Sequence, residues 1–408
     1  EISECLVGSE MCIRDRYYGG DALNTLQKKT TAFDFFSGLD IFTVITALTA
    51  SVYGLMLVYS ATYSSLDEGE VISRQLIAML ITVTGGVVIA LVLSVINYEF
   101  ISKLWPIIAA GCVVLMIITF FFGTAPSART TARSWLQIGS FTLQSSEIMK
   151  VGFIISFSYH LDMVKGSINR IKTIIPLVIH GLIPIALVIL TGDAGSALIF
   201  LILFIGMLFM AKINIGYFVA GFCAIIVGFM VAWKTNLISG IQRQRIVALF
   251  YPEHYENVMY QQNNAKIAIG SGGWFGQGFL QGRMTQNNMV PENQNDFVLS
   301  VAGEEFGFVG AMAVILLLAL LIIRVFSAGL KARDNVGYLM CMGVGIMLLA
   351  QVFVNIGMEL SLLPCIGITL PLFSSGGSSS LSIYLALGIV FSVYRYSKNQ
   401  TKSLFYSD

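Results

Sequence analysis

The residues best suited to chemistry fall into a few short clusters. Asp296 closes the polar run Pro291-Glu292-Asn293-Gln294-Asn295-Asp296, just before an apolar segment opening at Phe297. An acid at such a boundary reads in two ways. It is the N-cap of the following helix, or it is a partly desolvated carboxylate in a cleft, placed to take a proton from a substrate hydroxyl. Arg243 and Arg245, in Ile241-Gln242-Arg243-Gln244-Arg245, bring two cations together. Guanidinium groups suit phosphate oxygens, whether of a substrate or of lipid headgroups. Glu147 and Lys150 stand three apart, so a helix places them on one face. They read as a structural ion pair or as the polar wall of a cavity. Asp193, beside Gly192 and Gly195, reads as a turn and helix cap, or as a carboxylate meeting a cation or a sugar hydroxyl.

Weaker signals surround these. Trp135 follows Arg133-Ser134 and on its own suits the membrane interface. Lys266 opens a stretch in which glycine alternates with apolar and aromatic residues as far as Gly278. It lacks the G-K-[ST] ending of a phosphate-binding loop, and it can lie in the interface or fold back into the protein. Glu304 and Glu305 sit among Gly303, Gly307 and Gly310, and adjacent acids point in different directions. Ser374 and Ser378 belong to a Ser/Gly-rich turn before the last apolar segment, serving either as caps or as hydroxyls that line a cavity.

The elements that position these residues must lie in a membrane. Of 408 residues, 56% are hydrophobic and 12% charged, with a mean hydropathy of +0.79; soluble domains carry about 25% charged residues. That apolar surface cannot be hidden from water by folding alone, which excludes a soluble enzyme, a nucleic-acid binder and a disordered chain. The apolar runs are long, unlike the ten-residue alternating segments of an outer-membrane barrel. The net charge of +1 does not point to a partner. None of the six cysteines forms a C-x-x-C pair, and the histidines lack metal-site spacing.

The predicted fold class is all-α: a polytopic integral membrane protein of about ten transmembrane helices. They are expected near 39–61, 72–95, 101–123, 143–162, 173–191, 194–211, 213–234, 297–323, 336–359 and 379–396. A long extracytoplasmic loop, 235–296, separates helices 7 and 8. Residues 1–38 and 397–408 are expected as cytoplasmic tails, flanking a transmembrane domain at 39–396. Glu1 to Arg16 resembles a translated sequencing adapter and is set aside. With both termini inside, fifteen of the 24 Lys and Arg residues face the cytoplasm and nine the outside. The polar clusters then gather on the outer face, and chemistry is expected there. No internal repeat is evident, which weighs against an inverted-repeat transporter.

At these residues the chain resembles the SEDS family (shape, elongation, division and sporulation). The match covers about 40–398. It rests on Gln242-Arg243-Gln244-Arg245-Ile246, Lys266-Ile267-Ala268-Ile269-Gly270-Ser271-Gly272-Gly273, Pro291-Glu292 with Asp296-Phe297, Gly303-Glu304-Glu305-Phe306-Gly307, and Asn355-Ile356-Gly357-Met358 with Leu362-Leu363-Pro364. Gly276-Gln277-Gly278 and Asn355-Ile356-Gly357-Met358 look more like the family's elongation branch than its division branch. The resemblance implies a peptidoglycan glycosyltransferase in the bacterial cytoplasmic (inner) membrane. Its substrates would be lipid II and the growing glycan strand, and its partners membrane lipid and a class B penicillin-binding protein, the matching transpeptidase. No nucleic acid is expected. The family's essential carboxylate falls on Asp296, its tryptophan on Trp135, and its Glu/Lys pair on Glu147 and Lys150. Departures are local: Thr191-Gly192-Asp193 stands for Gln-Pro-Asp, Ser145-Ser146-Glu147 for Pro-Ser-Glu, Arg133-Ser134-Trp135 for Arg-Arg-Trp, Asn295 for Thr, and Ser374-Ser375 for Ser-Tyr.

On this reading Asp296 is the catalytic base. Arg243 and Arg245, aided by Arg133 or Lys150, would bind the leaving diphosphate, and Trp135, Glu147, Asp193, Lys266, Ser374 and Ser378 would help to line the substrate site. The one cofactor candidate is a divalent cation, Mg or Mn, for which the sequence shows no clear ligand set. Two rival readings use the same residues: a flippase or transporter of a lipid-linked substrate, with Glu304 as a proton site, and a scaffold for the transpeptidase.

Overall fold

The computed structural model describes residues 38–66, 69–125, 133–139, 141–235, 238 and 240–405. The adapter-like stretch and the expected N-terminal tail up to residue 37 lie outside the described residues. Fifteen α-helices follow in order: α1 Ile41–Tyr63, α2 Arg74–Val95, α3 Tyr98–Lys103, α4 Trp105–Phe122, α5 Ser145–Met163, α6 Ile171–Leu190, α7 Ala194–Met210, α8 Ile215–Lys234, α9 Gly240–Ala248, α10 Glu256–Ser271, α11 Arg283–Gln286, α12 Val298–Glu305, α13 Gly307–Leu330, α14 Asn335–Glu359 and α15 Gly377–Phe405. Each of the ten expected apolar segments is helical. Eight are long and apolar enough to cross a bilayer on that ground alone. Of the other two, α5 carries Glu147, Lys150 and Asp162, and α7 has only 17 residues.

Helices α5 and α14 form the centre. Gly343 of α14 lets Ile154 of α5 and Met207 of α7 approach so closely that a Cβ there would lie 2.9 Å from Ile154. By contrast, α8 has no buried residue.

Five features differ from the sequence expectation. The segment 101–123 breaks at Leu104, because Pro106 lacks an N–H and favours the first turn of a new helix. The connection between α4 and α5 contains a two-stranded antiparallel hairpin, β1 Trp135–Ile138 and β2 Phe141–Gln144. The segment 235–296 holds three helices, α9, α10 and α11, among its described residues. The last helix runs on to Phe405, so much of the expected C-terminal tail continues it.

The eighth span is two helices, α12 and α13, broken at Phe306. A break at membrane depth exposes N–H and C=O groups that lipid cannot satisfy. The glycine-rich turn after α10 folds back and supplies the partners. Gln277 and Gly278 donate to the Glu304 and Glu305 carbonyls at 2.9 and 3.1 Å, while Phe308 and Val309 donate to the Gly273 and Trp274 carbonyls at 2.8 and 3.2 Å. Only glycine permits this contact. Gly276 has φ +84°, and a Cβ on it would sit 2.1 Å from the Glu305 carbonyl oxygen.

Candidate active site

One polar network joins the hairpin to three helices. Its centre is Asp193, at the tight turn between α6 and α7. Asp193 caps α7 by accepting from Ser196 N at 2.9 Å, and also accepts from Ser196 Oγ at 2.9 Å, Gln144 Nε2 at 2.8 Å and Ser146 Oγ at 3.4 Å. On the same first turn of α5, Lys150 Nζ donates to Glu147 Oε1 at 2.7 Å, and Ser382 of α15 donates to Glu147 Oε2 at 2.9 Å. The pair is buried, with Lys150 at 1% and Glu147 at 4% exposure. Charges this deep persist only when paired. Ser378 accepts from Gln144 N at 3.0 Å and donates to Thr142 O at 3.1 Å, docking the hairpin onto α15.

Asp296 lies beside this network in a different setting. The turn before α12 wraps round Glu292, whose carbonyl accepts from Asn295, Asp296 and Phe297 N–H at 3.0, 3.0 and 3.3 Å; Glu292 itself has φ +61°. Asn355 of α14 donates to the carbonyls of Asp296 and Ile368, both at 2.7 Å. Ser375 N donates to Gln294 O at 2.9 Å, and Ser375 Oγ bonds Asn295. The main chain is thus fixed from three sides. The side chain is not: among the described residues no hydrogen bond reaches either carboxylate oxygen of Asp296. It is half-buried above a cluster that includes Val290, Phe297, Met358 and Cys365. Desolvation raises its pKa to about 7, assisted by the negative charges of Glu292 and Asp193 and opposed by Arg245. A carboxyl that titrates near neutrality and keeps its oxygens free is suited to accept a proton.

The other sequence candidates divide. Arg245 reaches Asp296 electrostatically. Arg243, two residues away and so on another helix face, stacks on Trp233 of α8 at 5.0 Å, with Nε and Nη2 unpartnered. An apolar cavity of about 370 Å³ lies there between α8 and α9, lined by Trp233, Val247 and Phe250 among others, and Asp296 does not line it. Trp135 is half-buried in β1, and Arg133 is exposed, its N–H bonded to Thr191 O at 2.9 Å. Lys266 is exposed on α10 with no hydrogen bond or ion pair among the described residues. Ser374 Oγ accepts from Leu370 N at 2.8 Å, a turn contact. Glu304 accepts from Met284 N, Thr285 N and Thr285 Oγ1 at 2.7 to 2.9 Å, so both its oxygens are occupied in holding α11 to α12. The sequence reading gave no site role to Asn355, Glu359, Glu292 or Gln144. The four-residue spacing of Gln351, Asn355 and Glu359 in a mostly apolar helix is the signal that places them on one face.

Eight helices long and apolar enough to cross a bilayer, with a polar centre gathered where α5, α7, α12 and α15 begin, define a polytopic membrane protein. The family model for FtsW, RodA and SpoVE, described as cell cycle protein, matches residues 40–399, and the chain belongs to that family. Among relatives, a probable peptidoglycan glycosyltransferase FtsW of Burkholderia thailandensis is 33% identical, over 83% of this chain and 75% of that protein. The peptidoglycan glycosyltransferase MrdB of Escherichia coli K12 is 29% identical, over 90% and 96%. These names agree with the enzyme class that the resemblance implies. Two solved structures share the fold: a chain from a peptidoglycan synthase complex (TM-score 0.72, 23% identity, 91% of this chain and 99% of that one) and RodA of Thermus thermophilus (TM-score 0.65, 24% identity, 88% and 97%).

Proposed function

We propose that this chain polymerises lipid II into glycan strands, with Asp296 as general base. The 4-hydroxyl of an acceptor GlcNAc attacks the anomeric carbon of a donor MurNAc. As the new C–O bond forms, the bond to undecaprenyl pyrophosphate breaks, and the hydroxyl proton passes to Asp296. The leaving group is already on the donor, so no nucleotide is consumed. Inversion at the anomeric carbon needs one base and no covalent glycosyl-enzyme. Arg245, the cation felt by Asp296, is assigned to the departing diphosphate, where positive charge stabilises the transition state. The divalent cation expected from the sequence finds no ready cage: among the described residues no cluster of three His, Cys, Asp or Glu is arranged to hold a metal ion.

The supporting observation is the Asp296 carboxyl itself, which accepts no hydrogen bond among the described residues and whose pKa burial raises to about 7. The loop charge balance supports an outward-facing site with both termini in the cytoplasm. Its partner would be a class B penicillin-binding protein, and the glycine and Asn355 motifs favour elongation over division. The test is strand formation from lipid II by the purified chain with that transpeptidase. Asp296→Asn is expected to abolish product while the complex stays intact; full activity would remove Asp296 from the base role. Labelled lipid II crossing liposomes without strand formation would favour transport instead.

A further inference from the structure

Helix α12 begins at Val298, and its N-cap residue, Phe297, offers no capping side chain. The first-turn N–H groups still need acceptors. An aspartate entering a helix commonly accepts from the amide three residues on, which for Asp296 is Leu299 N–H. Here that amide donates to Glu359 Oε1 at 3.1 Å, while Ser300 N–H donates to the Phe297 carbonyl at 3.1 Å. Glu359 is wholly buried at the end of α14, and its Oε2 has no partner. One turn earlier on the same face, Asn355 holds the Asp296 carbonyl. A single stripe of α14 therefore fixes the Asp296 main chain and occupies the amide that would draw its side chain away.

We infer that Glu359 is a positioning residue: by capping α12 in place of Asp296, it leaves the Asp296 carboxylate open to substrate. This rests on the base role proposed above. The groups facing Asp296 are Glu292 on its own turn, Arg245 from α9, Asp193 from the α6–α7 turn, Cys365 from the connection after α14, and Glu359 itself.

The experiment measures kcat and KM for lipid II polymerisation by the complex on both sides of neutrality. Glu359→Leu fills the site but removes the acceptor. Asp296 then turns to cap Leu299 N–H, and a hydrogen bond to a carboxylate favours its charged form. The expected result is a kcat lower by about tenfold or more with KM little changed, and an acidic limb moved to lower pH. Glu359→Gln keeps an acceptor for Leu299 N–H and is expected to retain kcat above neutrality. An unmoved acidic limb in Glu359→Leu overturns the inference, as does a Glu359→Gln loss equal to that of Glu359→Leu. Should Glu359→Leu not fold, Glu359→Gln decides alone: retained kcat supports the inference, and a tenfold loss in folded protein, about the cost of a misplaced group, overturns it. Full activity of Asp296→Asn would instead sink the base role on which the inference stands.

Discussion

Asp193 accepts four hydrogen bonds, while the Asp296 carboxylate accepts none among the described residues. The two acids are close enough for each charge to be felt by the other, so their difference lies in local wiring. Around Asp193, Glu147 and Lys150, charges and hydroxyls are matched within a few residues of three helix starts. Satisfied buried networks of this kind rigidify a fold. Around Asp296 the main chain is held just as firmly, by Asn355, Glu292 and Ser375, but the carboxylate is left unpaired. One region fixes the hairpin and helices in register, and the other uses that rigidity to hold a single half-buried, unpaired carboxylate.

The sharpest break in this contrast comes from Asp296→Asn. Loss of a general base costs about 10²–10⁴-fold in rate, while the thermal unfolding temperature should not fall, since no side-chain bond is lost and a desolvated charge is removed. Lys150→Met is expected to do the reverse in kind. It strands Glu147 in a buried site, and removing one partner of such a pair costs about 3–5 kcal/mol. Unfolding of the purified protein in detergent checks this, and the double variant Glu147→Gln with Lys150→Met should recover most of the loss. Normal stability of the single Lys150→Met variant would show that the pair is not structural. Asp193→Ala removes the α7 cap, worth about 1 kcal/mol, together with the bond that holds Gln144. Its effect on stability should therefore fall below that of Lys150→Met.

Much of this contrast could be read from residue spacing. Apolar length located ten segments that are all helical, eight of them long and apolar enough to cross a bilayer, and the polar clusters marked one end of them. The three-residue step from Glu147 to Lys150 foretold their shared face, and Asp193 beside a tight turn foretold a cap. The rest depended on contacts distant in sequence. The break at Phe306 is tolerated only because residues 273–278 supply hydrogen bonds from thirty residues away, and no local pattern encodes that pairing. Arg243 and Arg245 look like a pair in sequence, but their two-residue step on a helix sends one to Trp233 and the other toward Asp296. The hairpin was legible in principle from the alternation in Trp135-Leu136-Gln137-Ile138 and the Gly-Ser step that follows, but long flanking apolar runs overshadow it. Glu304 suits a proton site by composition, yet its three donors occupy both oxygens.

The smallest expected effects test the open region most finely, because they move its pH dependence and little else. Asp296 works as a base when deprotonated, so activity falls as pH drops through its pKa of about 7. Glu292 raises that pKa by repulsion, so Glu292→Gln should lower it and carry the acidic limb to lower pH. Arg245 acts in the opposite sense, so Arg245→Gln should move the limb to higher pH, with an added loss of kcat if it also binds the diphosphate. The Asp193 network offers a control: Asp193 also raises the Asp296 pKa, so Asp193→Asn should displace the limb in the Glu292→Gln direction. Opposite shifts for Glu292→Gln and Arg245→Gln in kcat/KM profiles would tie the limb to Asp296. Shifts of the same sign would mean that another group controls it.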